Sequence, residues 1–227
     1  MTFSNSEHTV KRFDVEIQQL VNLVLEMGRE AALQVKRAVA AFRENDADAA
    51  QAVIAGDAAV NHWDMEIDRG CVRLLSRRQP MSTDLRLVMA LNKAVNDLER
   101  IGDEAKAIAE KTLAIHARGG LPTGGPPAAM DRLTGIADRR IQSALDSLGR
   151  LDVSQAWTLV GTDEAEGVFQ DILGELGACV VDGELTVATV IDMALALKAL
   201  KRVADRAQNL AEYVIFVVEG RDVRHVT

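Results

Sequence analysis

From about Thr9 to Glu44 the apolar residues Phe13, Ile17, Leu20, Val24, Met27, Ala31, Val35, Ala38 and Phe42 recur at intervals of three and four. That is the period of one buried helix face, so the pattern predicts a long amphipathic helix, interrupted in composition by Gly28. Asn45 and Asp46 offer a stop and a fresh N-cap. A second helix is predicted from about Asp46 to Arg77, with Val53, Val60, Trp63, Ile67 and Leu74 among its apolar positions and Gly56 as a point of bending. Pro80 disfavours the α conformation at Gln79 and ends it. Ser82 or Thr83 is placed to cap a third helix that continues to about Ala117.

The stretch RGGLPTGGPP, Arg118 to Pro127, is the one linker-like segment and holds four glycines and three of the chain's four prolines. The order then repeats. Helices are predicted from about Ala128 to Arg150, from Asp152 to Asp182–Gly183, and from Glu184 to Glu219 with a stop at Gly220. No alternating strand pattern of useful length is present.

The third and sixth helices carry the same motif. LERIGDEAKAIAE, Leu98 to Glu110, returns as LKRVADRAQNLAE, Leu200 to Glu212, always 102 positions on. Leu98, Arg100, Asp103, Ala105, Ala109 and Glu110 recur as Leu200, Arg202, Asp205, Ala207, Ala211 and Glu212. A gapless self-match of this length means a duplicated unit. The expected fold is all-α: two tandem three-helix bundles, six long helices in all, related by pseudo-twofold symmetry. The first bundle covers residues 1–118, the linker 119–127 and the second bundle 128–227. A flexible joint at the linker would let the halves shift against each other.

Composition agrees. Apolar residues make up 48% of the 227, aromatics only 4%, so aliphatic side chains must pack the helices. A net charge of −8 argues against a nucleic-acid backbone as partner. The polar N-terminus lacks the apolar core of a signal peptide, and the longest apolar run, Tyr213 to Val218, is far too short to span a bilayer. The expected location is the cytoplasm, with membranes reached only through partners. Cys71 and Cys179 do not make a disulfide framework and are expected to be free thiols.

Chemistry concentrates at the repeated motif. Glu99 and Asp103, four apart, share a helix face with Asn92 and Asn96. Two carboxylates side by side repel, and solvent, a basic neighbour or a bound cation must offset that. Hard cations take oxygen ligands, and Asp57, Asp64, Glu66 and Asp68 on the preceding helix are further donors. A Glu and an Asp four apart also occur on ordinary solvated helix faces. In the second copy Lys201 replaces Glu99 and Lys198 stands where the first has Asn96. An ammonium beside Asp205 neutralises it without metal, although Asp163, Glu164 and Glu166 leave room for a reduced site. The four histidines, His8, His62, His116 and His225, are scattered, with no Glu-x-x-His pair of a di-iron bundle. No phosphate-binding glycine loop and no nucleophile–base motif is visible. Arg77, Arg78 and Arg86 make a basic cluster, read as a solvated helix end or as a contact for an acidic partner or phosphate.

The run from Gly56 to Glu110, with RRQP, then DLR and LERIGD, resembles the PhoU family of phosphate-transport accessory and regulatory proteins. The opening HTVKRFD and LVLEMG, the later RVADRAQNLAE and the tail EGRDVRHV resemble the rest of that family's pattern. The resemblance implies two tandem three-helix bundles and metal ions, iron, zinc or another divalent ion, held by E(D)-x-x-x-D motifs. Carried over, the motif falls on Glu99 and Asp103, whereas only Asp205 matches in the second half. It implies a non-catalytic regulator that restrains the phosphate-starvation response between the ATPase subunit of a phosphate ABC transporter and a sensor histidine kinase. It further implies a homodimer, although no self-complementary patch is evident in the sequence.

Two other classes compete: a metal-dependent helical enzyme, and a structural protein whose motif is only a packing seam. Gly102 and Ala204 are small enough for close helix approach in the latter. The expected metal set, Glu99, Asp103, Asp57 and Asp64 in the first half and Asp205, Asp163 and Glu166 in the second, is asymmetric. Metal titration should show Glu99→Ala losing more binding than Asp205→Ala; equal losses contradict the asymmetry.

Overall fold

In the computed structural model the chain is described over residues 11–121, 128–161 and 164–223, without the side chains of 11–12, 57–62 and 128–129. It folds into α1 (Lys11–Glu44), α2 (Ala47–Arg78), α3 (Ser82–His116), α4 (Ala128–Arg150), α5 (Val153–Val160), α6 (Glu164–Val181) and α7 (Val187–Glu219). No strand occurs among the described residues.

Local sequence sets these boundaries. Asn45 takes a left-handed φ of 52° and Asp46 caps α2 by accepting from the Ala49 amide at 2.9 Å. Gln79, before Pro80, closes α2 at φ 48°, and Gly220 closes α7 at φ 72°. α2 runs unbroken through Gly56. Two expectations need correction. Neither Ser82 nor Thr83 caps α3: the N-cap position is Met81, without a side-chain bond, and the Thr83 hydroxyl instead accepts from Arg86 at 3.0 Å. The fifth predicted helix is two helices. α5 is capped by Asp152, whose carboxylate accepts from the Ser154 and Gln155 amides, and ends at Gly161. Gly161 is followed by Thr162 and Asp163, residue types that favour helix ends over helix interiors.

Each half wraps its own helices: α1, α2 and α3 in the first, α4 with α5, α6 and α7 in the second. The most extensive pairing in the molecule nonetheless crosses between the halves, α3 against α7, with α1 against α4 beside it. Both crossings are antiparallel. Arg86 Nε donates to the Val217 carbonyl at 3.1 Å at one end of the α3–α7 pair, and Lys111 meets Asp192 at 3.5 Å near the other. Lys36 with Asp138 at 2.9 Å and Arg43 with Asp131 at 3.4 Å fix α1 on α4.

One hydrophobic cluster therefore serves both halves, from Met27, Phe42, Leu91 and Ile101 to Met130, Ile141, Leu148 and Leu200. Full burial of each such side chain is worth about 1.5–3 kcal/mol. The halves are not bundles free to swing on the linker; α3 and α7 are packed along their length, and Arg118 at the end of α3 pairs with Asp192 of α7.

The α1–α4 crossing depends on Gly28. A Cβ there would lie 2.3 Å from Leu145 Cδ2, and Leu145 is itself buried. Gly177 of α6 faces open space. Gly28→Val should therefore cost about 1–3 kcal/mol by overpacking. Gly177→Ala should gain about 0.5–1 kcal/mol of helix propensity. Thermal unfolding checks both, and opposite signs are expected.

Candidate functional site on the repeated helix

The motif of the first half sits on α3, with α2 antiparallel beside it. Asn92 Nδ2 donates to Asp68 Oδ1 at 3.1 Å and Cys71 Sγ approaches the Val88 carbonyl at 4.0 Å, which sets the register. Counting back from that pair places Asp64 level with Asn96, about one turn short of Glu99. Glu99 is half-buried, Asp103 exposed and Asp64 half-buried, and Glu99 and Asp103 stand four residues apart on the unbroken α3. Asn96 is tied back to the Asn92 carbonyl at 3.2 Å. The side chain of Asp57 lies outside the described residues. Among the described residues no group of three or more His, Cys, Asp or Glu is gathered as a metal cage. The first half thus presents a two-carboxylate edge able to supply two oxygen ligands to a hard cation, the rest falling to water or to residues beyond those described.

The second half is built differently. Lys201 Nζ lies 2.9 Å from Asp205 and 3.0 Å from Glu166, bridging α7 and α6. Two of the expected ligands, Asp205 and Glu166, are brought together, but around an ammonium. Burial works against the Lys201 charge, yet its hydrogen bonds to Asp205 and Glu166 outweigh this and hold its pKa above the ordinary lysine value. A hydrogen bond from Gln170, then those from Lys201, hold the Glu166 carboxyl below its usual range. These residues do not fit a metal, because a cation would have to displace a charged group already bonded to both acids. Asp163 lies outside the described residues, as do His8 and His225 and the side chain of His62.

Sequence reasoning missed the polar seam between the two copies. Asp97, only 5% exposed, accepts from Tyr213 at 2.7 Å, Asn209 at 3.1 Å and Arg206 at 3.2 Å. Glu104, also buried, accepts from Arg202 at 3.5 Å. A buried carboxylate without such partners would cost several kcal/mol, on the order of the penalty for an isolated ion. The signal was in the spacing. Asp97 and Glu104 fall on the apolar face of α3 with Ile101 and Ile108, and Arg202, Arg206, Asn209 and Tyr213 repeat the same steps of four, three and four on α7.

Comparison with known proteins agrees with this architecture. The PhoU domain family matches residues 24–112. The Phosphate-specific transport system accessory protein PhoU homolog of Pseudomonas aeruginosa is 34% identical over 224 residues, 98% of this chain and 92% of the relative. The accessory protein PhoU of Escherichia coli strain K12 is 30% identical over 97% of this chain and 91% of its own length. The crystal structure of PhoU from Pseudomonas aeruginosa superposes with a TM-score of 0.85 at 33% identity, over 92% of this chain and all of that one. An all-helical body built around a duplicated acidic helix defines the class among the described residues. The chain belongs to the PhoU family, whose matching members are named as accessory proteins of the phosphate-specific transport system and not as enzymes.

Burial pushes the Glu104 carboxyl above its usual range, against the opposing pull of Arg202 and Arg206. A raised folded-state pKa contributes stability that is complete below the unfolded value and is lost as pH rises through the folded one. Glu104→Gln keeps an acceptor for Arg202 and does not titrate. Chemical denaturation from about pH 4 to pH 7 should move the stability difference in favour of the variant; a difference flat with pH contradicts the assignment.

Proposed function

We propose that this chain is the regulatory accessory protein of a phosphate transport system. In that role it links the ATPase subunit of a phosphate ABC transporter to a sensor histidine kinase and restrains uptake and the starvation response when phosphate is plentiful. The observation that carries the reading is similarity at 30–34% identity, running through nearly the whole of both chains, to proteins named as accessory proteins of the phosphate-specific transport system. The physical character of the molecule supports it. A regulator that bridges partners needs long rigid faces, and α2, α3, α6 and α7 supply them on a body whose halves share one core. Among the described residues no helix is long and apolar enough to cross a membrane, and on this reading contact with a transporter runs through protein surfaces. The place of action is the cytoplasm, where ATPase subunits and kinase domains lie.

The same reading assigns metal to the first half alone. Glu99 and Asp103 would hold a divalent or trivalent ion such as iron or zinc at the exposed edge of α3, completed by Asp64 or Asp57. The ion would supply charge neutralisation and a rigid link between helices, not reaction chemistry. Lys201 takes that role in the second half.

Affinity capture of the tagged full-length chain from crosslinked cells grown in high and in low phosphate tests the function. Recovery of a transporter ATPase subunit and a sensor kinase in high phosphate is expected. Repeated capture of neither contradicts the proposal.

A further inference from the structure

Four helix ends and α5 meet at one end of the molecule. Arg78, closing α2, holds Glu16 near the start of α1 with hydrogen bonds of 2.9 and 2.8 Å. Arg86, in the second turn of α3, donates to the Val217 carbonyl near the end of α7. Trp157 Nε1 of α5 donates to Glu219 Oε1 of α7 at 3.0 Å. This end carries Met81 at 79% exposure, with Leu85, Met89, Trp157 and Val218 between 38% and 42%. Exposed apolar residues scattered singly are ordinary, but a gathering at one end calls for a cause. Met81, Leu85 and Met89 are spaced by four and so line one side of the α3 start. Met81 holds the N-cap position in extended backbone and makes no side-chain bond there. Ser, Thr, Asp or Asn at that place would cap the helix; an exposed methionine neither caps nor packs.

The acids at this end are engaged inside the chain. Glu16 is held by Arg78, and Glu219 by Trp157 and, at 3.8 Å, by Arg221. Asp14, Asp84 and Asp222 have partners as well. Arg77 is exposed and has no ion pair among the described residues, and Arg221 is largely exposed. The opposite end reverses this setting. Advancing Leu85 and Met89 by the 102 positions that separate the motif copies gives Val187 and Ile191, 61% and 54% exposed at the start of α7. There the apolar pair stands near exposed Asp182 and Glu184. Arg118 and Lys111, near the end of α3, both pair with Asp192 of α7, which places the depression lined by Glu44, Asp46, Asp48 and His116 at the same end.

We propose that this protein docks directly on an anionic lipid bilayer through the end where α2 turns into α3 and α7 stops. The Met81 turn enters the headgroup region, and Arg77 and Arg221 meet lipid phosphates. Interfacial binding of this kind combines buried apolar area with attraction of basic residues to anionic headgroups. An indole whose N–H is bonded and whose ring is partly exposed suits the same boundary. Charge selects the occupant and the orientation. A chain of net charge −8 is repelled by an anionic surface in general, and the end whose acids are paired and whose arginines are exposed is the one that can approach. A neutral apolar partner would accept either stripe; an anionic bilayer accepts one. One apolar turn and few cations make the binding weak, reversible and sensitive to salt. This contact is direct, unlike the expectation that membranes are reached only through partners. It is independent of the phosphate-system reading, because lipid vesicles contain no transporter and no kinase.

Co-sedimentation of the full chain with vesicles of phosphatidylcholine alone, and of phosphatidylcholine with phosphatidylglycerol, at low and high salt, provides the test. Binding to the anionic vesicles is expected, with little to the neutral ones and a decline as salt rises. Arg77→Glu with Arg221→Glu should weaken it about tenfold or more, since each basic residue near a charged bilayer contributes close to a decade. Met81→Asp with Leu85→Asp should weaken it comparably. Val187→Asp with Ile191→Asp, at the other end, should leave it unchanged. All six positions are exposed, and thermal unfolding of each variant separates lost docking from lost folding. In a Trp63→Phe background, where Trp157 is the one remaining indole, brominated lipid in the anionic vesicles should quench its emission. No binding to anionic vesicles, equal binding to neutral ones, a loss from the Val187 and Ile191 changes as large as from those at Met81 and Leu85, or unquenched Trp157 overturns the proposal.

Discussion

The antiparallel seam of α3 on α7 is the constraint to which the rest of the molecule answers. Its centre is a carboxylate, Asp97, removed from water and satisfied by Arg206, Asn209 and Tyr213, with Glu104 and Arg202 one turn and more away. Buried charge tolerates few arrangements, because any slip that parts Asp97 from its donors leaves an ion in an apolar setting. Aliphatic packing around it would accept several registers; the polar groups accept one. The seam therefore fixes how the two halves sit, and with them the places of α2 and α6 on the two flanks and the direction in which the acidic edge of α3 faces solvent.

Duplication supplied two equivalent units and divergence then gave them different tasks at matched positions. Glu99 in one half is Lys201 in the other, and the lysine closes Asp205 and Glu166 into a salt-bridged link while Glu99 and Asp103 stay at an accessible edge. Asp97 corresponds to Ala199, so the polar seam draws its acids from one copy and its donors from the other. One half thus keeps an acidic pair on α3, while the other neutralises its acids with its own lysine.

Much of this was legible in the chain. The helix spans followed from period-three-and-four apolar positions, and the Asn45–Asp46, Gln79–Pro80 and Gly220 boundaries from residue types with a specific backbone preference. The break at Gly161 was not, because one glycine in a helical pattern is ambiguous: Gly28 and Gly56 sit inside continuous helices, while Gly161 closes α5. At the site, the i, i+4 spacing correctly put Lys201 beside Asp205. It could not convey distance across helices, so the bridging of Lys201 to Glu166 and the burial of Asp97 appear only in three dimensions. The reading of the Gly/Pro-rich segment as a hinge failed for a related reason. Composition describes the linker, but the surfaces on either side decide whether the joined units are free.

The central claim is that the two halves are one cooperative body held by the α3–α7 seam. Native-state hydrogen exchange across the chain measures this most directly. The account predicts that the central amides of α1, α3, α4 and α7 share a single opening free energy equal to that of global unfolding, with α5 and the helix ends opening earlier. Exchange of α4 and α7 as a separate, less stable unit, while α1 and α3 remain protected, would contradict it.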